Sequence, residues 1–188
     1  MSRNVRAKDL LRPPTLITAA SFGLVLDGVR KIDTREGKIE IALGRLGDLA
    51  DGLVARKFDQ SSDAGAIADA TCDKLGILAI GSKIWHENLA PKQILAGIAV
   101  KHAVNAVATT YNGLHDADKR SIRPPKSGKF SMAADNLALG AFLLADECKN
   151  PQAKNIARGV GYAAATAGLA FGIYSTARYL RGDFDEEK

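Results

Sequence analysis

At 188 residues the chain has the length of one domain, and no shift in composition divides it. Its 26 basic and 21 acidic residues leave a net charge of +5, which suits an anionic membrane surface or phosphorylated substrates. Aromatics are too sparse for base-stacking platforms and no RNA- or DNA-binding motif is present, which excludes a nucleic-acid partner.

Mean hydropathy is −0.07 and 25% of the residues are charged, values that taken alone describe a protein at home in water. A membrane span asks for roughly 20 mostly apolar residues. Only Gly159 to Ala177 is an uncharged run near that length; Pro13 to Leu26 is shorter, and 75–85, 93–111 and 131–145 are apolar but interrupted. Cys72 and Cys148 lie far apart, with no metal spacing and no secretory signal, so a reducing context is expected and Cys72 reads as a small packed side chain.

In chain order, residues 1–12 carry Arg3, Arg6, Lys8 and Arg12 and read either as a basic juxtamembrane arm or as an ordinary frayed terminus. Pro13-Pro14-Thr15 starts a helix that continues through Leu16 to Val29. Arg30 to Lys38 is a charged connection, and a second helix is expected from about Ile39.

That helix leads into the stretch around which the chain is organised, DLADGLVARKFDQSSDAGAIADATCD at 48–73. Residues three and four apart share a helix face, so Asp48, Asp51, Gly52 and Ala55 form one stripe with Arg56 at its edge. Gly65, Asp69 and Asp73 form a second stripe at steps of four. A turn at Lys57 to Ser62 that folds the helices antiparallel lets the two stripes face each other and brings four carboxylates together. Bare carboxylates so gathered repel until one takes up a proton or a cation joins them. Oxygen ligands without a nearby His or Cys suit a hard cation, Mg²⁺ or Mn²⁺. Two such ions about 3.5–4 Å apart are a known device for displacement at phosphorus. Gly52, Ala55 and Gly65 would let a nucleotide come close, and Arg56 offers a fork of donors to a phosphate oxygen.

Paired Asp and Arg residues on helices are more often solvated faces or surface ion pairs. The full pattern D-x2-D-G-x2-A-R-x8-G-x3-D-x3-D, however, arises by chance with odds on the order of 10⁻⁹ per starting point at ordinary residue usage. It resembles the signature of the CDP-alcohol phosphatidyltransferase family. The resemblance implies an all-α fold, a six-helix polytopic membrane bundle formed by 1–188 as a single domain, that displaces CMP from CDP-diacylglycerol with an alcohol nucleophile. It further implies that Asp48, Asp51, Asp69 and Asp73 hold two Mg²⁺ or Mn²⁺ ions, that Asp73 is also the general base, and that Gly52, Ala55, Arg56 and Gly65 line the CDP site. The expected setting is the cytoplasmic membrane with the active site facing the cytosol, and a homodimer stays open. In the family the first helix often contains a Pro-Asn and a Thr that reach the nucleotide; Thr15 and Thr18 match this loosely.

Beyond the motif, the third helix is expected to continue through Lys74 to Trp85 and to stop at the polar HENLAPK, with His86 carrying no role. A fourth helix spans about Pro91 to Thr110 and carries Lys101, His102 and Asn105 inside an apolar run. A cation within a span is costly and usually faces a water-filled site. Members of the resembled family that use glycerol 3-phosphate are expected to have a basic residue near here, so Lys101 is a candidate ligand for the acceptor phosphate. The alternative is that Lys101 and His102 lie on the polar face of a less buried helix. The segment 116–132 follows, with Lys119, Arg120, Arg123, Lys126 and Lys129. Its K-x-G-K-x-S portion is similar to the G-K-x-K-T segment of phosphatidylglycerophosphate synthases, with one lysine replaced and Ser131 in place of Thr, which adds Arg123, Lys126 and Lys129 to the acceptor-phosphate candidates; a basic loop with no ligand is the other reading. Helix five is expected over about Ser131 to Asp146 and helix six over about Pro151 to Tyr179, before a polar tail at 182–188 that reads as disordered.

Glycerol 3-phosphate is thus the leading acceptor and inositol phosphate the second. Two readings from other classes remain: a water-soluble or non-catalytic helical protein that keeps the motif for nucleotide or metal binding, and a soluble prenyl-diphosphate enzyme. The lack of a D-D-x2-D sequence counts against the latter.

Overall fold

The computed structural model describes residues 13–57, 63–115 and 126–181, and their side chains except those of 13–15, 48–57, 63–70, 109–115 and 179–180. The arm 1–12, the turn 58–62, the loop 116–125 with Arg123, and the tail 182–188 lie outside the described residues. Six helices and no strand make up what is described: α1 Pro13–Arg30, α2 Arg35–Lys57, α3 Asp63–His86, α4 Lys92–His115, α5 Lys126–Glu147 and α6 Pro151–Arg181. The all-α expectation and the number of helices agree with this order. Contacts gather the chain into two compact units, Met1–Lys83 and Ile84–Lys188.

In the first unit α1 and α2 pack as a hairpin. α2 begins at Arg35 rather than near Ile39, because Thr34 caps it. The Thr34 Oγ1 accepts the Gly37 N–H at 3.0 Å and donates to the Lys31 carbonyl at 2.8 Å. This satisfies a donor that a helix start leaves without a partner, and Glu36 adds a negative charge where the helix dipole favours one. Lys31 bonds Asp27 at 2.6 Å and Glu40 at 3.3 Å, and these two carboxylates hold its ammonium above the ordinary lysine pKa. Glycine permits the close approach of the two helices: a Cβ on Gly28 would lie 2.4 Å from the Gly37 carbonyl oxygen, and one on Gly44 would lie 2.6 Å from that of Ser21. Val25, Ile32 and Ile41 fill the remaining seam.

The end of α3 falls where the sequence places it. Asn88 takes φ 54°, a left-handed conformation that Asn tolerates better than most residues. Its N–H donates to Trp85 O at 3.3 Å, and the Leu89 N–H donates to Ile84 O at 3.0 Å. This paired pattern closes the last carbonyls of a helix.

The second unit is built on α5 and α6, with α4 against α6. Asn150 caps α6 by accepting the Gln152 N–H at 2.8 Å, and Pro151 takes the first helical position, which lacks need of an N–H. Phe142 of α5 is buried and meets Tyr162 edge-on at 5.7 Å between centroids. α5 starts at Lys126, five residues before the expected Ser131, so the Lys126-Ser127-Gly128-Lys129 segment is the first helical turn and not a loop. In sequence a Pro124-Pro125 pair precedes this turn, and proline disfavours helix in the residue before it.

Among the described residues one helix, over Pro151–Arg178, is long and apolar enough to cross a membrane. Only 33% of its apolar window is buried, and Ile156, Phe171, Ile173 and Tyr174 are exposed. A core helix of a water-soluble protein would turn such residues inward.

Candidate functional site

Two polar centres stand out, one in each unit. In the first unit α2 and α3 are joined by an ion pair: Arg45 Nη1 lies 2.9 Å from Asp73 Oδ1, both side chains being largely buried. The guanidinium reaches its place past Gly76, where a Cβ would stand 3.3 Å from Arg45 Nη1. The approach is off the hydrogen-bond direction, so Asp73 Oδ1 is a buried oxygen with no aligned donor among the described residues. Thr18 and Ser21 of α1 are buried polar groups in the same unit.

Asp73 is the one motif carboxylate whose side chain is described. Asp48, Asp51, Gly52, Ala55 and Arg56 belong to the later part of α2, and Gly65 and Asp69 to the start of α3. Their side chains lie outside the description, and so does the expected convergence of four carboxylates. Asp73 Oδ1, to which the neighbouring Arg45 makes no aligned hydrogen bond, is a hard oxygen donor of the kind a divalent cation takes. Arg45 escaped the sequence reading. The available signal was a basic residue three positions before Asp48, on the helix that carries half of the acidic pattern.

In the second unit, α4, α5 and α6 meet in a buried polar cluster. Lys101 Nζ donates to Ser131 Oγ at 2.7 Å, to Gly168 O at 3.2 Å and to Asp135 Oδ2 in a short contact. His102 Nε2 lies 2.8 Å from the same Asp135 oxygen. Ser131 Oγ donates in turn to Gly168 O at 2.7 Å. The Lys101 side chain is 3% exposed and that of Asp135 0%. The glycines make room: a Cβ on Gly172 would lie 2.1 Å from Lys101 Cδ, and one on Gly168 would lie 2.4 Å from Asp135 Oδ1. One turn further along α6, Thr176 bonds Asn105 of α4.

Lys101 therefore does not line an open, water-filled site, nor does it sit on a weakly buried face; its three ammonium protons are all bonded within the unit. Lys126 and Lys129 are exposed on the first turn of α5, and Arg123 is outside the described residues. Asp135 lies within the fifth helix expected from the sequence but had no role there, and Gly168 and Gly172 were passed over. An acid inside an apolar helix and a Gly-x3-Gly spacing were the signals that connect them to Lys101.

No curated protein matches the chain. Residues 15–174 match the family described as CDP-alcohol phosphatidyltransferase, a span that takes in α2, α3 and both polar centres. Members of that family are membrane phosphotransferases that pass a phosphatidyl group from a CDP-alcohol to a second alcohol. With an unbroken acidic signature, six helices in order and a match over most of its length, the chain belongs to the CDP-alcohol phosphatidyltransferase family.

Proposed function

We propose that the chain transfers a phosphatidyl group from CDP-diacylglycerol to a small phosphorylated alcohol, with glycerol 3-phosphate as the first acceptor, and releases CMP at the cytosolic face of the cytoplasmic membrane. The observation that carries this reading is the ion pair between Asp73, the last carboxylate of the acidic motif, and Arg45, three residues before its first. It ties α2 to α3 at one point along each helix, on the two sides of the 58–62 turn in sequence. Three residues from Arg45 towards that turn lies Asp48, and four residues from Asp73 lies Asp69. At a rise of 1.5 Å per residue these steps are about 4.5 and 6 Å, which supports bringing Asp48 and Asp69 to nearly one level.

Asp48, Asp51, Asp69 and Asp73 would hold two Mg²⁺ or Mn²⁺ ions, which when bound supply Lewis-acid polarisation of the phosphoryl oxygens. Arg56 binds a pyrophosphate oxygen through its fork of donors, while Gly52, Ala55 and Gly65 leave room for the cytidine nucleotide. Asp73 takes the proton of the acceptor hydroxyl as that oxygen bonds to the phosphorus carrying the diacylglycerol, and the bond from this phosphorus to CMP breaks. General-base help of this kind is worth about 10²–10⁴-fold. Arg45 holds the carboxylate in place from the side of α2. Lys129, Lys126 and Arg123 offer charge to the acceptor's phosphate, which favours glycerol 3-phosphate or inositol phosphate over an uncharged alcohol.

The test is release of labelled CMP from CDP-diacylglycerol in mixed micelles against a panel of acceptors, with lipid product analysis. Asp69→Asn and Asp73→Asn should each abolish release, and Asp69→Asn should also change the Mg²⁺ requirement. Wild-type turnover in either variant removes that residue from the site, and an acceptor without phosphate working best overturns the acceptor assignment.

A further inference from the structure

We propose that Lys101 is a positioning residue and not a substrate ligand: with Asp135, Ser131 and Gly168 it clamps the N-terminal half of α5, and so the Lys126 and Lys129 turn, against α4 and α6. The proposal rests on the transferase reading for the substrate it names, while its geometry stands apart from that reading.

An ammonium has three protons, and here each has an acceptor: Ser131 Oγ and Asp135 Oδ2 from α5, and the Gly168 carbonyl from α6. A phosphate could replace one of these only by opening a cluster whose charged side chains are 3% and 0% exposed. It would then face the Asp135 carboxylate, a like charge beside the lysine it sought. A basic residue that serves phosphate usually offers unused donors at the wall of a cavity; this one offers none.

The clamp has a direction. His102 follows Lys101 on α4 and meets the same Asp135 oxygen at 2.8 Å, so two consecutive residues of one helix fix one carboxylate of another. Ser131 and Asp135 are four apart and face inward, and Ser127, one turn earlier, likewise has a buried Oγ. The inward face of α5 thus runs unbroken to its first turn, which leaves Lys126 and Lys129 on exposed positions. Lys129 is two residues from Ser131, about 3 Å along the axis, so anchoring Ser131 anchors the turn that presents Lys129. Gly168 and Gly172 make the anchor possible, because side chains there would occupy the positions of Asp135 Oδ1 and the Lys101 stem.

The experiment uses the full chain in detergent with Lys101→Met, Asp135→Leu and the double variant, and reads both melting temperature and steady-state kinetics. Each single variant strands a buried charge and should lower the melting temperature, whereas the double variant strands none and should recover most of the loss. Each single variant should raise KM for glycerol 3-phosphate by loosening the turn that presents Lys129, whereas in the double variant apolar packing of the replaced pair holds α5 in place and KM should stay within about threefold of wild type. A rise of tenfold or more in that KM, in a double variant that melts like wild type, overturns the proposal. So does a double variant as unstable as the singles. Where the singles do not accumulate, the recovery of the double variant is the deciding result, and its absence overturns the clamp. If wild type transfers nothing, the transferase reading fails while thermal coupling between Lys101 and Asp135 still reports on the clamp.

Discussion

Replacing Gly172 by alanine puts the packing of the second unit to a quantitative test. The new Cβ would stand 2.1 Å from Lys101 Cδ, 2.8 Å from Cγ and 2.9 Å from Ser131 Oγ. Carbon atoms in contact keep about 3.5–4.0 Å apart, so the lysine stem must move by roughly 1.5 Å. Its ammonium is held by three acceptors, the longest contact being 3.2 Å already, and a shift of that size takes at least one beyond bonding range. Overpacking of this kind costs about 1–3 kcal/mol. The loss of one hydrogen bond to a charged group adds about 1.5–3 kcal/mol. In a chain of this size 1 kcal/mol corresponds to about 2–4 °C in melting temperature. Gly172→Ala should therefore melt at least about 5 °C below wild type, an order-of-magnitude expectation from the same scaling. Gly159 on the same helix is the control, since a Cβ there meets nothing within 4 Å. Gly159→Ala should be neutral or stabilising, by up to about 1 kcal/mol from helix propensity. Melting curves in one detergent at one scan rate decide the matter, and equal temperatures for the two variants would refute the packing argument.

Arg45→Gln should lower kcat by about tenfold, equivalent to about 1.4 kcal/mol of lost positioning of Asp73, with little change in KM for either substrate. A wild-type kcat would leave the ion pair without a part in turnover. Lys129→Gln should raise KM for glycerol 3-phosphate by roughly tenfold, the value of one charge-assisted hydrogen bond, and leave KM for CDP-diacylglycerol unchanged; equal effects on both would point to misfolding. Thr34→Ala removes the cap of α2 and should cost about 0.5–2 kcal/mol of stability at unchanged kcat, read by melting and turnover on the same preparation.

How much of this was legible in the sequence depends on the physical scale involved. The family was legible because the spacing of the eight motif positions is a property of single helices, and so was the end of α3, where Asn88 and Pro91 act on the local backbone. The starts of α2 and α5 were displaced by four and five residues, because the charged and glycine-containing turns at Arg35-Glu36-Gly37-Lys38 and Lys126-Ser127-Gly128-Lys129 look like connections when apolar content alone is followed. Thr34 and the Pro-Pro pair were the better guides. Lys101 was the instructive case. From sequence it was a costly charge in search of a ligand, and the ligand was Asp135, 34 positions away on another helix. No pattern within α4 holds that information.

The same cluster shows where two helices put their polar residues in a chain of mean hydropathy −0.07 that belongs to a membrane family. An average along the sequence counts every polar residue against a span, whichever way it points. On α4, Lys101 and His102 are 6% and 5% exposed while Val100, Val104 and Val107 are 62%, 46% and 69% exposed. On α5, Asp135 and Ser131 are buried while Leu137 and Leu144 are exposed. The polar groups are spent on one another between helices, and the outward positions are left to aliphatic side chains. This inverts the arrangement of a water-soluble bundle, whose charges would face out. α6 passes the hydropathy test because its contribution to the cluster is the Gly168 carbonyl and two glycine gaps, which carry no charge. α4 and α5 do not pass it because they supply the ionised partners. Taken face by face, the polar residues inside α4 and α5 meet one another between helices, so the low hydropathy of these two helices carries no argument against a bilayer around them.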